Sequence, residues 1–335
     1  MKNKILITGA SGFIGSYLVE QALLKGFEVY AGIRKSSSKQ FLQNNRIHCI
    51  ELDFSSADQL EQQLSIFKQQ HGNLDYVIHN AGITQAKKRE AFLEVNAGYT
   101  ENLVKALQAS SMLIQKFVLI SSLAAYGPGN TETFTPIELG QQPTPVSAYG
   151  KSKLAAETFL KKVNAFPYII INPTAVYGPR DKDFLQFVAL INKGIEPYIG
   201  TNKQMVSLIY VKDLTRAIIS LLSTDICNRS YIVSDGVDYC KEEIGATVKA
   251  ILHKKTIKIK IPALPIYLVI ALIEKAQQWL FGTLPFLNTE KVKEISSPNW
   301  LCKSKLWTDL SSAPQYLLND GMKETIEWYQ ENKWL

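Results

Sequence analysis

Cysteine is scarce in this sequence and follows no binding pattern. Four cysteines occur among 335 residues, with no Cys-x-x-Cys spacing and no histidine in register: Cys49, Cys227, Cys240 and Cys302. Structural zinc sites and disulfide frameworks need cysteine or histidine residues at short, regular spacings. The pattern therefore predicts free thiols in a reducing cytosol, and it argues against a bound metal.

Long hydrophobic runs and blocks of like charge are also missing. The apolar run 261–273 has 13 residues, whereas a membrane-spanning helix needs about 20. The net charge is +7, but the basic residues are dispersed and no nucleic-acid-binding module occurs, so we expect no nucleic-acid partner. The charged N-terminus runs directly into an apolar strand, which predicts a cytoplasmic protein without a signal peptide.

Apolar strings alternate with amphipathic helical stretches over the first half of the chain. Candidate strands lie at 4–8, 27–33, 47–52, 74–79, 115–121 and 166–172. Candidate helices begin near residues 13, 57, 91 and 149. This alternation predicts an α/β fold with a doubly wound parallel sheet and right-handed crossovers. After about residue 175 the rhythm weakens.

A glycine-rich turn follows the first candidate strand. The string Gly9-Ala10-Ser11-Gly12-Phe13-Ile14-Gly15 leads into a helix that ends near Gly26. Strand, turn and helix in this order form a dinucleotide-binding unit, in which the pyrophosphate rests on the helix N-terminus. The spacing is G-x-x-G-x-x-G, and a tight turn without a ligand is the alternative. The expected cofactor contacts in this segment are Thr8, Gly9, Ser11, Gly12, Phe13, Ile14 and Gly15.

Tyr149 and Lys153 lie four residues apart at the start of a candidate helix, which places both side chains on one face. A free phenol has a pKa of about 10, and a nearby cation lowers that pKa. The upstream hydroxyl of Ser122 can hold a substrate oxygen while Tyr149 transfers a proton. Many surface helices carry Tyr-x-x-x-Lys, so the glycine-rich turn gives this pattern its weight. These three residues are the candidate catalytic groups.

The turn and the Tyr-Lys pair together resemble the extended branch of the short-chain dehydrogenase/reductase superfamily, the NAD-dependent epimerase/dehydratase family. Further strings extend the resemblance over nearly the whole chain: VIHNAG at 77–82, LISSLAAYG at 119–127, NPTAVYGP at 172–179 and GMKETIEWY at 321–329. In the second string, Ser122 lies four residues before a Tyr-Gly pair, which is where the family has its catalytic hydroxyl. One departure is Asn172, where the family commonly has arginine.

The resemblance implies a Rossmann-type domain at 1–175 and a smaller, mainly helical substrate lobe at 176–335, interleaved with returns to the sheet. It also implies a homodimer formed through the helices near 91–110 and 149–163. The loop 127–146, rich in proline, glycine and threonine, is long for a structureless connection. We therefore expect it to flank the substrate.

The resemblance also assigns cofactor contacts outside the turn. It implies that Asp53 recognises the adenine amino group and that Lys153, besides lowering the pKa of Tyr149, holds the nicotinamide ribose. Asn96 would organise the active site, although an asparagine at a helix start or turn is an equal alternative. The full set outside the turn is Arg34, Lys35, Asp53, Phe54, Asn80, Ala81, Gly82, Asn96, Ser121, Tyr149, Lys153, Pro173, Thr174 and Val176.

The end of the second strand indicates which cofactor is used. NAD-preferring proteins place an acidic residue there to hold the ribose hydroxyls. This chain has Arg34 and Lys35 followed by three serines, which suits a 2′-phosphate. We therefore favour NADP(H) over NAD(H). The alternative is that Arg34 stacks on adenine or points into water.

Residue types that related enzymes have and this chain lacks restrict the reactions it can catalyse. Dehydratases and decarboxylases of the branch carry carboxylates where this chain has Leu123 and Ala124, and sugar-nucleotide enzymes often have a phosphate-binding arginine where it has Val206. The sequence is closer to the hydroxysteroid dehydrogenase and dihydroflavonol reductase side. We expect NADPH-dependent reduction of a ketone to a secondary alcohol. The alternatives are a nucleotide-sugar epimerase with tightly bound NAD and a dinucleotide-sensing protein without catalysis.

The apolar run 261–273 lies within the proline-interrupted segment 261–287, which is flanked by lysines. A buried helix of the smaller lobe is the favoured interpretation, because short apolar runs are usually core. The alternative is an apolar substrate wall or a peripheral membrane contact. A lipid-like small-molecule substrate would suit that alternative.

Overall fold

The central feature of the computed structural model, which describes residues 2–200 and 203–335, is a seven-stranded parallel sheet. The strands along the chain are β1 (Lys4–Thr8), β2 (Glu28–Ile33), β3 (Ile47–Glu51), β4 (Tyr76–His79), β5 (Lys116–Ile120), β6 (Tyr168–Pro173), β7 (Ala175–Tyr177), β8 (Ile195–Ile199), β9 (Met205–Tyr210), β10 (Arg229–Val233), β11 (Asp238–Cys240), β12 (Ile257–Ile261) and β13 (Asn299–Trp300). The large sheet has the order β10-β6-β5-β4-β1-β2-β3. The reversal of strand order beside β1 is where ligands bind in such sheets.

Helices connect and cover the strands. They are α1 (Phe13–Leu24), α2 (Ala57–His71), α3 (Glu90–Leu93), α4 (Tyr99–Ala109), α5 (Ala148–Lys162), α6 (Asp183–Asn192), α7 (Val211–Leu222), α8 (Lys241–Leu252), α9 (Ala263–Phe281), α10 (Thr289–Ser296), α11 (Leu306–Asp309) and α12 (Leu318–Glu331). A five-residue π-helix, Glu94–Gly98, joins α3 to α4, and a short 3₁₀ turn, Leu123–Ala125, follows β5.

Apolar cores lie on both faces of the large sheet. On one face the strands pack against α1 and α7, and on the other they pack against α2, α4 and α5. Burial on both faces explains why these strands are continuous apolar strings. All six strands and all four helix starts expected from the sequence are present, each helix start within one residue. The predicted doubly wound Rossmann-type fold is confirmed.

The second half of the chain forms a smaller lobe with its own core. Strands β7, β9, β11 and β13 form one small sheet, β8 and β12 form another, and α6, α8 and α12 pack around the lobe's core. The chain returns to the large sheet through α7 and through β10, which pairs with β6. The lobe is therefore interleaved with the Rossmann sheet. The boundary at 175/176 stays a prediction.

The favoured interpretation of 261–273 as a buried helix is wrong. Helix α9 lies at the surface, and most of its large apolar side chains are exposed. Its one buried residue is Glu274, which is held by Arg89 and by Thr289. The inward-facing residue of α9 is therefore Glu274, which forms an ion pair with Arg89. The pattern of apolar residues along the chain does not indicate such a pair.

The four cysteines are free thiols, with Cys49 exposed and Cys302 buried. In the described part of the chain, no group of three or more histidine, cysteine, aspartate or glutamate side chains is arranged to hold a metal ion. None of the helices in residues 2–200 and 203–335 combines the length and the apolar character needed to cross a bilayer.

Candidate active site

The glycine-rich turn packs tightly against the rest of the site. Gly9 has a φ of +63°, and a Cβ atom there would lie 2.8 Å from the backbone nitrogen of Ala81. A Cβ atom on Gly15 would lie only 2.0 Å from the carbonyl oxygen of Gly9. Glycine is therefore required at both positions, at the first because of its positive φ and at the second because helix and turn touch.

The N-terminus of α1 fits the pyrophosphate of a dinucleotide. Gly12 is the N-cap residue, no side chain caps the helix, and no acidic residue lies in its first turn. The first N–H groups of the helix and its positive dipole end are thus directed toward the end of β1. The flanking Ser11, Phe13 and Ile14, which the sequence assigned to the cofactor, lie at this helix start.

Thr8, at the end of β1, ties that strand to β4. Its hydroxyl is buried, accepts the Ala81 N–H at 3.1 Å and lies 2.8 Å from Nδ1 of His79. Asn80 donates through its side-chain amide to the carbonyl of Gly9 at 3.4 Å. Burial lowers the pKa of His79 to about 3, and the Lys153 charge adds to the decrease. The His79 ring is therefore neutral at pH 7 and holds the cofactor turn in place.

Asn96 fixes the loop after β4. Its carboxamide accepts the Ile83 N–H at 2.8 Å and donates to the Ile83 carbonyl at 3.0 Å, as well as to Oγ of Ser152 on α5 at 2.9 Å. A Cβ atom on Gly82 would lie 2.7 Å from Oδ1 of Asn96 and 3.2 Å from Nζ of Lys153. Asn96 is therefore buried within a π-helix and joins the loop after β4 to α5, and its role in the active site stays a prediction.

Ser122 and Tyr149 are brought together by close packing of the 3₁₀ turn on α5. A Cβ atom on Gly150 would lie 2.3 Å from the carbonyl oxygen of Ala124, so the turn after Ser122 rests directly on the first turn of the helix. Ser147 caps α5 by accepting the Gly150 N–H at 3.1 Å. The N-cap thus begins the helix where Tyr149 faces the hydroxyl of Ser122.

The Tyr149 phenol is protonated in this environment. Burial raises its pKa to about 12, a hydrogen bond with Ser122 opposes the increase, and the charges of Glu294 and Asp183 add to it. The phenol therefore keeps its proton at neutral pH. Lys153 lies with its Nζ 6.0 Å from the centroid of the Tyr149 ring. In this geometry the lowering influence on the phenol comes from Ser122, so the expected influence of Lys153 stays a prediction.

Lys153 is buried and points at the backbone of β5. Its Nζ donates to the carbonyl of Ile120 at 2.9 Å. Burial lowers the pKa of Lys153 to about 8, and the carboxylate of Glu157 opposes the decrease. The ammonium group is thus charged at neutral pH, although neutral pH is not far below its pKa.

Glu157 lies one helical turn after Lys153 and is the centre of a buried polar cluster. Its carboxylate accepts from the hydroxyl of Ser121 and from the side-chain amide of Asn172, which also donates to the Ser122 carbonyl at 3.1 Å. Lys161 approaches from the surface at 3.4 Å. Asn172 Oδ1 is buried and has no hydrogen-bond partner among residues 2–200 and 203–335. The cluster fixes the backbone that carries Ser122 and supplies a negative charge close to Lys153.

The residues expected to contact the adenosine half of the cofactor follow the C-terminal ends of β2 and β3. Arg34 and Lys35 are exposed directly after β2, and the Arg34 backbone N–H donates to Oγ of Ser37 at 3.0 Å. Asp53 is exposed, and hydrogen bonds from Ser55 lower its pKa. Phe54 is buried. Exposed cationic and anionic groups are thus available where the sequence placed the adenosine phosphate and the adenine.

The loop after β6 closes the other end of the site. Pro173 ends β6, and Thr174 is buried, with its backbone N–H donating to the carbonyl of Val233 at 3.1 Å. Val176 lies half-buried in β7. This segment carries the chain from the large sheet into the lobe, beside the predicted nicotinamide position.

Comparisons with known proteins give the family. A family model described as the NAD dependent epimerase/dehydratase family matches residues 5–233, which contain the turn and all three candidate catalytic residues. The protein belongs to this family.

Proteins similar to this chain are named for different activities. The chain is 29% identical to UDP-glucose 4-epimerase of Vibrio cholerae, over 98% of this chain and 95% of that protein. It is 24% identical to ceramide reductase of Caulobacter vibrioides, over 99% of this chain and 96% of that protein. Membership in the family therefore leaves the reaction to be decided by the site.

Solved structures confirm the fold. UDP-glucose 4-epimerase from Thermotoga maritima, in complex with UDP-glucose, superposes with a TM-score of 0.77 at 21% identity, covering 98% of this chain and 99% of that chain. UDP-glucuronic acid 4-epimerase from Bacillus cereus, in complex with NAD, superposes with a TM-score of 0.75 at 22% identity, covering 98% and 96%.

The sequence did not reveal a group of charged residues beside the candidate active site. The carboxylate of Glu290 accepts the backbone N–H of Ala148 at 2.7 Å, and Glu294 accepts from the Ser147 hydroxyl, so α10 binds the N-terminus of the catalytic helix. Arg89 also contacts Glu290, at 3.0 Å. These contacts join residues more than 140 positions apart, and no local pattern reports them. Glu157 was detectable as a carboxylate four residues after Lys153.

Replacing Glu157 by glutamine is expected to shift the pH dependence of turnover. The Glu157 charge raises the pKa of Lys153, so its removal favours the neutral amine. Activity in the unmodified protein should fall as pH rises through about 8, and in Glu157→Gln the fall should move about one pH unit lower. The measurement is kcat/KM against pH, with thermal unfolding to verify the fold.

A matched control for Glu157→Gln is Glu101→Gln, which removes another helical i,i+4 partner of a lysine, Lys105. Glu101 is half-exposed, and its ion pair is with Lys105 rather than with Lys153, so the pH profile of Glu101→Gln should match that of the unmodified protein. An unshifted profile in Glu157→Gln would show that Lys153 titration does not limit turnover.

Proposed function

We propose that the protein is an NADP-dependent reductase that converts a ketone on an apolar, lipid-like substrate into a secondary alcohol. The observation that carries the proposal is the convergence of Ser122, Tyr149 and Lys153 in a site without the carboxylate pair of a dehydratase. Leu123 is buried and Ala124 lies in the 3₁₀ turn, so the positions after Ser122 offer no acid or base. Proton transfer then depends on the phenol.

Each of the three residues has its own role in the proposed reduction. A bound nicotinamide dinucleotide would supply the hydride. The Ser122 hydroxyl holds the carbonyl oxygen of the substrate, and the Tyr149 phenol, which is protonated at neutral pH, donates its proton to that oxygen. Lys153 keeps a positive charge close to the phenolate that forms and holds the ribose.

Charge around the phenol favours a neutral substrate over a nucleotide diphosphate. Val206, at the position where sugar-nucleotide enzymes often have arginine, is buried in β9 within the core of the lobe. Glu294 and Asp183 both raise the pKa of Tyr149, so negative charge lies near the site. A diphosphate would be repelled there, whereas an uncharged carbonyl would not.

A relative with a lipid substrate in its name supports the same class. Ceramide reductase of Caulobacter vibrioides aligns with 99% of this chain. The segment 261–287, which the sequence associated with a lipid-like substrate, carries many exposed apolar side chains. The proposed substrate class is therefore a ketone with a long hydrocarbon chain.

Arg34 supports NADP(H) as the cofactor. It is exposed after β2, and it forms no ion pair in the part of the chain that the structure describes, so its guanidinium is available for a 2′-phosphate. Arg34→Ala is expected to raise the KM for NADPH by about 10- to 100-fold, the range for a lost charge-assisted hydrogen bond. The KM for NADH should change little. Steady-state kinetics with both cofactors measure the two effects.

Arg46→Ala is the matched control for Arg34→Ala, because Arg46 is also an exposed arginine in the loop between β2 and β3. It should leave both KM values unchanged. Equal increases for NADPH and NADH in Arg34→Ala would contradict a contact with the 2′-phosphate and favour stacking of the guanidinium on adenine.

The function is tested first by cofactor binding and then by turnover. The purified protein is titrated with NADPH and NADH by fluorescence, and whatever dinucleotide co-purifies is identified. Exchangeable binding with preference for NADPH is expected, followed by NADPH oxidation with long-chain 3-keto lipids. Absence of NADPH oxidation with every ketone of the panel would refute the proposal.

A nucleotide-sugar epimerase is the second candidate, because UDP-glucose 4-epimerase of Vibrio cholerae is 29% identical to the chain. This function would use the same Ser122 and Tyr149. It predicts NAD retained through purification and conversion of UDP-sugars without added cofactor. That result would replace the reductase proposal.

A further inference from the structure

Helix α9 has an inverted distribution of apolar and charged side chains. Its single buried residue, Glu274, is 6% exposed. The exposed large apolar side chains form what we call the α9 face: Leu264, Leu268, Val269, Leu272, Ile273, Trp279, Leu280 and Phe281. A surface helix in water normally has the opposite arrangement. An apolar surface of this kind indicates an interaction site.

The residues next to the α9 face carry a strong excess of positive charge. Between residues 254 and 293 there are seven lysines and two acidic residues, Glu274 and Glu290. Three of the lysines, Lys258, Lys260 and Lys291, form ion pairs with glutamates outside this segment. Both glutamates are already paired with Arg89. Lys254 and Lys275 are exposed and form no ion pair within residues 2–200 and 203–335. The partner of this surface should therefore be apolar and anionic.

We propose that the α9 face docks on the surface of an anionic lipid bilayer. Exposed leucine, tryptophan and phenylalanine side chains along a surface helix, with lysines nearby, suit insertion into the boundary between headgroups and acyl chains. In this arrangement the helix lies in the plane of that boundary. A second copy of the same face would bring lysines against lysines, which disfavours a symmetric dimer there.

Helix α9 is linked to the catalytic helix through a continuous chain of ionic contacts. Glu274 pairs with Arg89, Arg89 contacts Glu290 at 3.0 Å, and Glu290 accepts the backbone N–H of Ala148 at 2.7 Å. Ala148 directly precedes Tyr149. A protein docked through the α9 face would thus hold the start of α5, which carries Tyr149, close to the membrane.

This consequence rests on the proposed function, since it lets a long-chain ketone pass from the bilayer to the Tyr149 phenol without crossing water. Transfer of a hydrocarbon chain through water is unfavourable in proportion to its apolar area. Docking itself does not depend on the reaction. It is measured without cofactor and without substrate, so the two proposals can fail separately.

The test is co-sedimentation of the full-length protein with vesicles of phosphatidylcholine alone or mixed with phosphatidylglycerol. We expect binding to the mixed vesicles, weaker binding at high salt, and little binding to phosphatidylcholine alone. Leu268 and Leu272 are 55% and 70% exposed, so Leu268→Gln/Leu272→Gln should fold normally and bind the mixed vesicles at least about tenfold more weakly.

The matched control is Leu24→Gln/Leu113→Gln, which replaces two leucines that are 76% and 74% exposed outside the lobe. This variant should bind vesicles as the unmodified protein does. Dinucleotide titration verifies that both double variants are folded. Equal vesicle binding by the two variants, or no binding by the unmodified protein, overturns the proposal. A dimer that only Leu268→Gln/Leu272→Gln dissociates, without vesicle binding, would instead identify an interface between copies.

Discussion

Tyr149→Phe is expected to lower kcat by about 10²- to 10⁴-fold, the range for loss of a positioned general acid. The phenol is protonated at neutral pH because burial raises its pKa to about 12, and no carboxylic acid takes its place after Ser122. The dissociation constant for the dinucleotide should change little, because the substitution leaves the glycine-rich turn intact. Single-turnover kinetics and a fluorescence titration measure the two quantities.

Tyr168→Phe provides the control for loss of a phenol, since Tyr168 begins β6 outside the candidate catalytic set. It should retain full turnover. Retained turnover in Tyr149→Phe would assign the proton donor to another group and refute the mechanism. Equal loss of cofactor binding would indicate a structural effect instead.

Gly15→Ala is expected to weaken dinucleotide binding by about 100-fold or more. The added Cβ atom would lie 2.0 Å from the carbonyl oxygen of Gly9 and 2.9 Å from Cα of Ala10, and neither backbone atom can move without opening the turn. A displacement of about 1 Å at a binding site is enough for an effect of this size. Overpacking should also lower the free energy of unfolding by about 1–3 kcal/mol. Titration with NADPH and thermal unfolding measure both.

Gly98→Ala is the matched control for Gly15→Ala. Gly98 lies at the end of the π-helix, where the nearest atom to an added Cβ is 4.0 Å away. Unfolding and cofactor binding should therefore stay close to those of the unmodified protein. Unchanged affinity in a folded Gly15→Ala variant would mean that the pyrophosphate does not bind at the start of α1.

Local patterns in the sequence were sufficient to predict the strands, the turn and the helices of the nucleotide-binding half. Most strands of the large sheet are apolar strings because both faces are buried, and Gly15 is required by its contact with Gly9 within the turn. The spacing of Tyr149 and Lys153 is likewise a property of one helix. Short-range geometry of this kind can be read from residue order.

Interpretation of 261–273 failed because apolar content was taken as evidence of burial. The prediction of a helix in this run is correct, but the helix is turned so that Glu274 faces inward. Arg89, far away in the chain, and Thr289 hold Glu274 in that orientation. An ion pair between distant segments decided which face is exposed, and sequence periodicity carries no information about such pairs.

Residue order by itself determined the parallel doubly wound sheet, the turn at Gly9–Gly15 and the identities of Ser122, Tyr149 and Lys153. The tertiary structure decided how these groups are held: Glu157 and Asn172 behind Ser122, Asn96 over the loop after β4, and Glu290 at the start of α5. It also decided that the apolar residues of α9 are exposed. The physical reason is that local elements follow from backbone geometry and periodicity, whereas burial, pKa and surface exposure depend on which distant segments pack together.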